Sequence, residues 1–194
     1  MRKVKVLLLL SLAMVAMVAS VVAVSVKSAE DKPAFVIRKV EEQVVLYTIY
    51  RGNYDKTGAA IGKLFALAGQ KGIIPRGPVL CAYLNNPEYV SSAHWLTEIR
   101  IPVGKDALKL AGTLGEMTDV KTLSALEVAV AVKPEGQADP GPVYASLYGW
   151  ILKQGYMGVD TPCEKVLTNA MTGNYAQMKT EIMIPVKKLS PGKD

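Results

Sequence analysis

"TEIRIPV" spans residues 97–103 and "TEIMIPV" spans residues 180–186, 83 positions further on. Each has the composition of a β-strand, and each carries a glutamate inside an otherwise apolar run. Sliding the chain by 83 residues extends the match without a gap. Val45 meets Val128, Gly58 meets Gly141, Leu64 meets Leu147 and Gly72 meets Gly155. Leu84, Asn86 and Ala93 meet Leu167, Asn169 and Ala176. A repeat of this length with six identities at one end reads as two copies of one module.

Both copies follow the same plan. "VVLYTIY" (44–50) and "LEVAVAV" (126–132) are predicted strands, rich in β-branched residues. Turn-forming stretches follow, "RGNYD" and "KPEGQADPGP". A helix comes next, with Ile61, Leu64, Phe65 and Ala68 on one face in the first copy and Tyr144, Leu147, Tyr148 and Ile151 in the second. That spacing places Tyr148 in the core, beside the position of Phe65. Gly72 and Gly155 are placed to stop the helices at positive φ, and Pro142 suits a first helical turn. Strands at about 78–84 and 163–167, together with the two quoted stretches, close the copies. A further strand near 35–40 opens the first. The predicted fold is α+β, a tandem duplication of a β-α-β-β module with antiparallel sheets, one helix per module and a ligand cleft between modules. Repeat 1 covers about 35–103, a linker 104–116, and repeat 2 about 117–187.

The first residues belong to something else. Arg2, Lys3 and Lys5 precede Val6–Val26, 21 residues without a charge. A basic start before such a run reads as a signal peptide or an N-terminal membrane anchor over residues 1–29, and Ala23-Val24-Ser25 offers a cleavage site. Residues 30–194 would then lie outside the cytoplasm, free or tethered through 6–26. Removing Arg2, Lys3, Lys5 and Lys27 from 23 basic residues leaves 19 against 17 acidic ones, a net charge of +2. The folded part therefore has no electrostatic motive for binding nucleic acid. The two cysteines, Cys81 and Cys163, read as buried apolar side chains, with a disulfide as the alternative that export permits.

Alternation along the strands puts Thr97, Ile99 and Ile101 on one face, toward the helix, and Glu98 with Arg100 on the other. In the second copy Glu181 shares its face with Met183 and has no cation beside it in the strand. A poorly compensated carboxylate among aromatic and methionine side chains suits a cationic, apolar guest. Tyr47, Tyr50, Tyr54, Tyr83, Trp95, Tyr148, Trp150 and Tyr156 are available for an aromatic wall, and Tyr50, Tyr83, Trp95 and Trp150 are the candidates.

The stretches "YRGNYDKTGAAIGKLFALAGQKG", "AYLNNPEYV", "LYGWILKQGY" and the two "TEI-IPV" endings resemble the GyrI-like effector-binding superfamily. Its members serve as ligand-binding domains of multidrug-responsive and AraC-type regulators, and as stand-alone proteins. The resemblance implies a tandem fold around a ligand cleft with an acidic residue that contacts cationic drugs. By motif that residue is Glu181, with Glu98 as its repeat mate. Tyr148 and Trp150 of the "LYGW" helix also resemble family positions. With the residues read from the strands, the candidate ligand-binding set is Glu181, Glu98, Tyr50, Tyr83, Trp95, Trp150 and Met183. No helix-turn-helix precedes the domain, so the expected function is extracytoplasmic small-molecule binding without a DNA-binding segment.

Three alternatives stand beside it. Some stand-alone relatives hydrolyse strained compounds, which implies a small hydrolase using Glu181 with Tyr50 or Tyr83 in the same cleft. A distant branch binds tetrapyrroles, for which His94 is the single candidate ligand. An interaction module displayed on a membrane is the third. No phosphate-binding glycine loop is present, and one histidine gives no multi-histidine zinc site, so neither a cofactor nor a metal is expected.

Overall fold

The computed structural model describes residues 34–168 and 178–190. The leader expectation, residues 1–29, lies outside them. Nine strands and two α-helices are present among the described residues, in the order β1 (Val36–Val40), β2 (Gln43–Arg51), α1 (Thr57–Gln70), β3 (Leu80–Tyr83), β4 (Leu96–Val103), β5 (Thr118–Leu123), β6 (Leu126–Lys133), α2 (Gly141–Lys153), β7 (Tyr156–Gly158), β8 (Cys163–Val166) and β9 (Thr180–Lys188). The strands form one antiparallel sheet in the order β1-β6-β9-β8-β3-β4-β2-β5, with β7 added to the far end of β9. The fold is α+β, with one helix per module, as expected.

Gly72 (φ 67°) and Gly155 (φ 74°) follow the two helices in the left-handed region, where a side chain would be strained. Ile61, Leu64 and Ala68 bury one stripe of α1, and Val143, Leu147 and Ile151 bury one stripe of α2. The buried stripe of α2 is thus rotated by one residue from the expected one. Val143 takes the inward place given to Tyr144, and Tyr148 is 40% exposed rather than core. Both tyrosines turn toward the junction of the modules.

Pairing follows the 83-residue offset. Val45 faces Pro102, and Val128 faces Pro185; Thr48 faces Ile99, and Ala131 faces Ile182. The modules join edge to edge through β3 and β8, with Leu80, Cys81 and Ala82 opposite Lys165, Glu164 and Cys163. The sequence did not disclose how the opening strands pair. β1 precedes β2 yet pairs with β6 of the second module, and β5 precedes β6 yet pairs with β2 of the first. The modules therefore exchange their first strands.

This exchange forces the sheet to curl. Only Glu41 and Glu42 separate β1 from β2, and only Ser124 and Ala125 separate β5 from β6. Three Cα–Cα steps span at most about 11 Å. The two ends of the eight-strand path must therefore approach each other. The face away from the helices becomes an interior. Leu80, Ala82, Val128, Val130, Cys163 and Met183 are buried there, with Val40 and Leu126 packed against them at the joints. The helix-bearing face holds two further cores, one under each helix.

Candidate functional site

Glu98 and Glu181 point into the curled interior. Glu98 pairs laterally with Ala82, and Glu181 with Lys165 and Val132. Arg100 reaches Glu98 at 2.6 Å and Lys121, on the exchanged strand β5, reaches it at 2.7 Å. The second module repeats the arrangement. Arg38, on the exchanged strand β1, forms a two-pronged contact with Glu181 at 2.7 and 3.2 Å, and Lys165 reaches the same carboxylate at 2.8 Å. The offset maps Arg38 onto Lys121 and Glu98 onto Glu181. The glutamate in each quoted strand thus receives the cation of the strand exchanged from the other module. Burial alone would raise both carboxyls, but the hydrogen bonds from their cations outweigh it and hold both below the usual glutamate range. The expectation that Glu181 is poorly compensated is corrected: its partners come from other strands, where sequence spacing cannot reveal them. Met183 joins the interior apolar cluster beside it.

The remaining candidates separate. Tyr83 and Trp95 line a cleft of about 1080 Å³ on the helix-bearing side, where the two modules meet. Tyr50 packs into the first core and its hydroxyl donates to the Asn53 carbonyl at 3.1 Å. Trp150 packs against Phe35, with ring centroids 5.7 Å apart, in the second core. His94 sits exposed in a 3-10 turn, its Nδ1 2.9 Å from the Ser91 hydroxyl. Neither Glu98, Glu181, Tyr50, Trp150 nor Met183 is among the residues lining that cleft.

The cleft has an acid that the sequence reading passed over. Glu164, in the middle of β8, is 1% exposed. It lies in the row Ile99–Cys81–Glu164–Ile182 that crosses the module seam on the helix side. The Tyr144 hydroxyl donates to its Oε1 at 3.2 Å and the Thr180 hydroxyl to its Oε2 at 3.1 Å. Lys133 lies in the adjacent row and is completely buried. Its ammonium donates to the carbonyls of Met178 at 2.7 Å and Gln137 at 3.0 Å. Burial lowers the Lys133 ammonium from its ordinary value, against the opposing pull of Glu164 and Glu135.

Comparison of the repeats locates this site. The offset sets Glu164 against Cys81, Lys133 against Tyr50, and Tyr144 against Ile61. Only the second module puts charge on its helix-facing row. That asymmetry was the available signal, because a charged residue among the inward positions of a strand is costly unless it is partnered.

Tyr54, Tyr83, Trp95, Tyr144 and Tyr148 supply aromatic wall to the cleft. Tyr54 stacks on Trp95 with centroids 4.3 Å apart, and meets Tyr83 at 5.0 Å in a tilted arrangement. Asp55, Glu88 and Asp139 add acids around the rim to the buried Glu164, and no lysine or arginine is among the described residues that line it. Cys81 and Cys163 are both free and buried. Cys81 shares the helix-side row with Glu164, whereas its neighbour Cys163 points into the curled interior, so the two thiols face opposite ways.

An antiparallel α+β fold with an acidic, aromatic cleft at a module junction defines a small-molecule-binding class. Residues 14–104, a little under half of the chain, match the profile of the GyrI-like small molecule binding domain. The fold is shared with the EcmrR C-terminal domain, at a TM-score of 0.62 and 15% identity over 81% of this chain and 99% of that one. EcmrR in a complex with DNA gives a TM-score of 0.62 and 16% identity over 81% of this chain, which spans 58% of that protein. A hydrolase from Listeria innocua gives a TM-score of 0.60 and 14% identity, over 81% of this chain and 94% of that one. No curated protein matches the sequence.

Proposed function

We propose that this chain binds a lipophilic cation in the cleft above the β3–β8 seam, and that it does so outside the cytoplasm. The observation that carries this reading is the lining itself. Four carboxylates and five aromatic rings surround the cleft, with no lysine or arginine among its described lining residues. Carboxylates attract a cation, and ring faces bind it through their quadrupoles while shedding water from its apolar surface. Glu164 sits deepest and supplies charge where water is scarcest. The uncharged run at residues 6–26 after three basic residues supports the extracytoplasmic half of the proposal. Sequencing of the mature N-terminus after expression in a bacterial host tests that half.

Trp95 lies in the cleft and Trp150 in a core, so binding reads directly as tryptophan fluorescence. Titration with rhodamine 6G quenches Trp95 in the wild type. In Glu164→Gln its affinity falls about tenfold, the scale of one charge-assisted contact. Equal affinities for the two proteins would refute the role of Glu164.

A second reading rests on the 3.2 Å hydrogen bond between Tyr144 and Glu164. A tyrosine beside a buried carboxylate can move protons, which suits hydrolysis of a strained or electrophilic compound in the same cleft. Turnover above buffer that disappears in Glu164→Ala and in Tyr144→Phe would establish it.

A further inference from the structure

Adjoining the cleft is a side chamber of about 40 Å³, lined by Thr57, Gly58 and Ile61 from the first turns of α1. Tyr54, Tyr83 and Glu164 line both spaces, and Thr57 and Cys81 line the chamber alone. Two of its polar atoms have no hydrogen-bond partner among the described residues. They are the Tyr54 hydroxyl and the Thr57 hydroxyl, and both are fully buried. A buried hydroxyl without a partner costs on the order of 1–3 kcal/mol. Their residues line the chamber together with Glu164, so two hydroxyls and a carboxylate belong to one small recess. A space of this measure needs only about 10–15 Å³ to hold a water-sized group, so the recess has room for a small polar head.

Resting on the reading of the cleft as a cation site, we infer that its ligand carries a primary ammonium, which enters this chamber while its apolar body stays in the aromatic cleft. The match is one of valence and size. An ammonium has three donors and no acceptor. The chamber offers the Tyr54 Oη, the Thr57 Oγ1 and the Glu164 carboxylate as acceptors. A trimethylammonium head carries the same charge but has no N–H to give. Such a head would remain in the outer cleft, against Trp95 and Tyr54, where ring faces attract it without hydrogen bonds.

The test compares 4-phenylbutylammonium with its N,N,N-trimethyl analogue by isothermal titration calorimetry on the full chain. The readout is the ratio of the two Kd values. In the wild type the primary amine binds about tenfold tighter, the scale of one hydrogen bond to a charged group. Thr57→Val keeps the shape of the side chain and removes the acceptor; Tyr54→Phe keeps the ring that stacks on Trp95. Each variant brings the ratio several-fold closer to one. A wild-type ratio of one, or a ratio that neither variant moves, overturns the chamber assignment and leaves the cation cleft standing. Binding of neither compound overturns both.

Discussion

Glu98 and Glu181 occupy equivalent positions at the 83-residue offset, and each is held by two cations from different strands. Their charge is spent inside the protein. Glu181→Gln should therefore lower stability by about 1 kcal/mol, because Arg38 and Lys165 remain partly in water and can be resolvated. Urea denaturation measures this, and rhodamine 6G affinity should stay at the wild-type value. The pH dependence follows from the same contacts. Both carboxyls are held below their unfolded values, so their contribution is complete above about pH 4.3 and is lost as pH falls through the lower folded values. Each glutamate can steepen the acid limb by up to about 1.4 kcal/mol per pH unit. In the Glu98→Gln/Glu181→Gln double variant, urea midpoints between pH 6 and pH 3 should change less than in the wild type. The cysteines give a simpler check. Burial pushes the Cys163 thiol up to about 12 and raises Cys81 as well. Neither should react with Ellman's reagent in the native protein, and both should react in denaturant. Loss of that reactivity after air oxidation would mean a disulfide, against the opposed directions of the two side chains.

At the scale of elements, the legible parts were those that local chemistry determines. Gly72 and Gly155 end helices because few other residues tolerate positive φ, and the alternation of Thr97, Ile99 and Ile101 fixed which face meets the helix. Glu164 escaped notice for a physical reason. A single glutamate in a four-residue strand looks like a solvated edge until Thr180 and Tyr144 arrive from elsewhere in the chain. The exchange of β1 and β5 was illegible too, because strand pairing is a long-range choice that the two-residue joints permit but do not announce. It makes a prediction of its own. Replacing Arg38 with Ala and Val36 with Pro loosens β1 from β6. Hydrogen exchange should then become fast at those β6 amides that face β1, while the amides facing β9 keep their protection.

For the whole molecule, the two modules share a short seam and trade a strand each, so neither can unfold while the other stays intact. Each carries one tryptophan, Trp95 in the first and Trp150 in the second. Trp95→Phe and Trp150→Phe thus report the modules separately, and their urea midpoints by fluorescence should coincide with each other and with far-UV circular dichroism. Separate midpoints would show independent modules. The trade also governs what half of this polypeptide could do by itself. A peptide limited to either copy would own a homeless ribbon and a bare hydrogen-bonding rim, each the complement of the other in a sister molecule. Two such peptides would clasp as a symmetric pair, and the hollow between their helices would then be built from two chains in place of one.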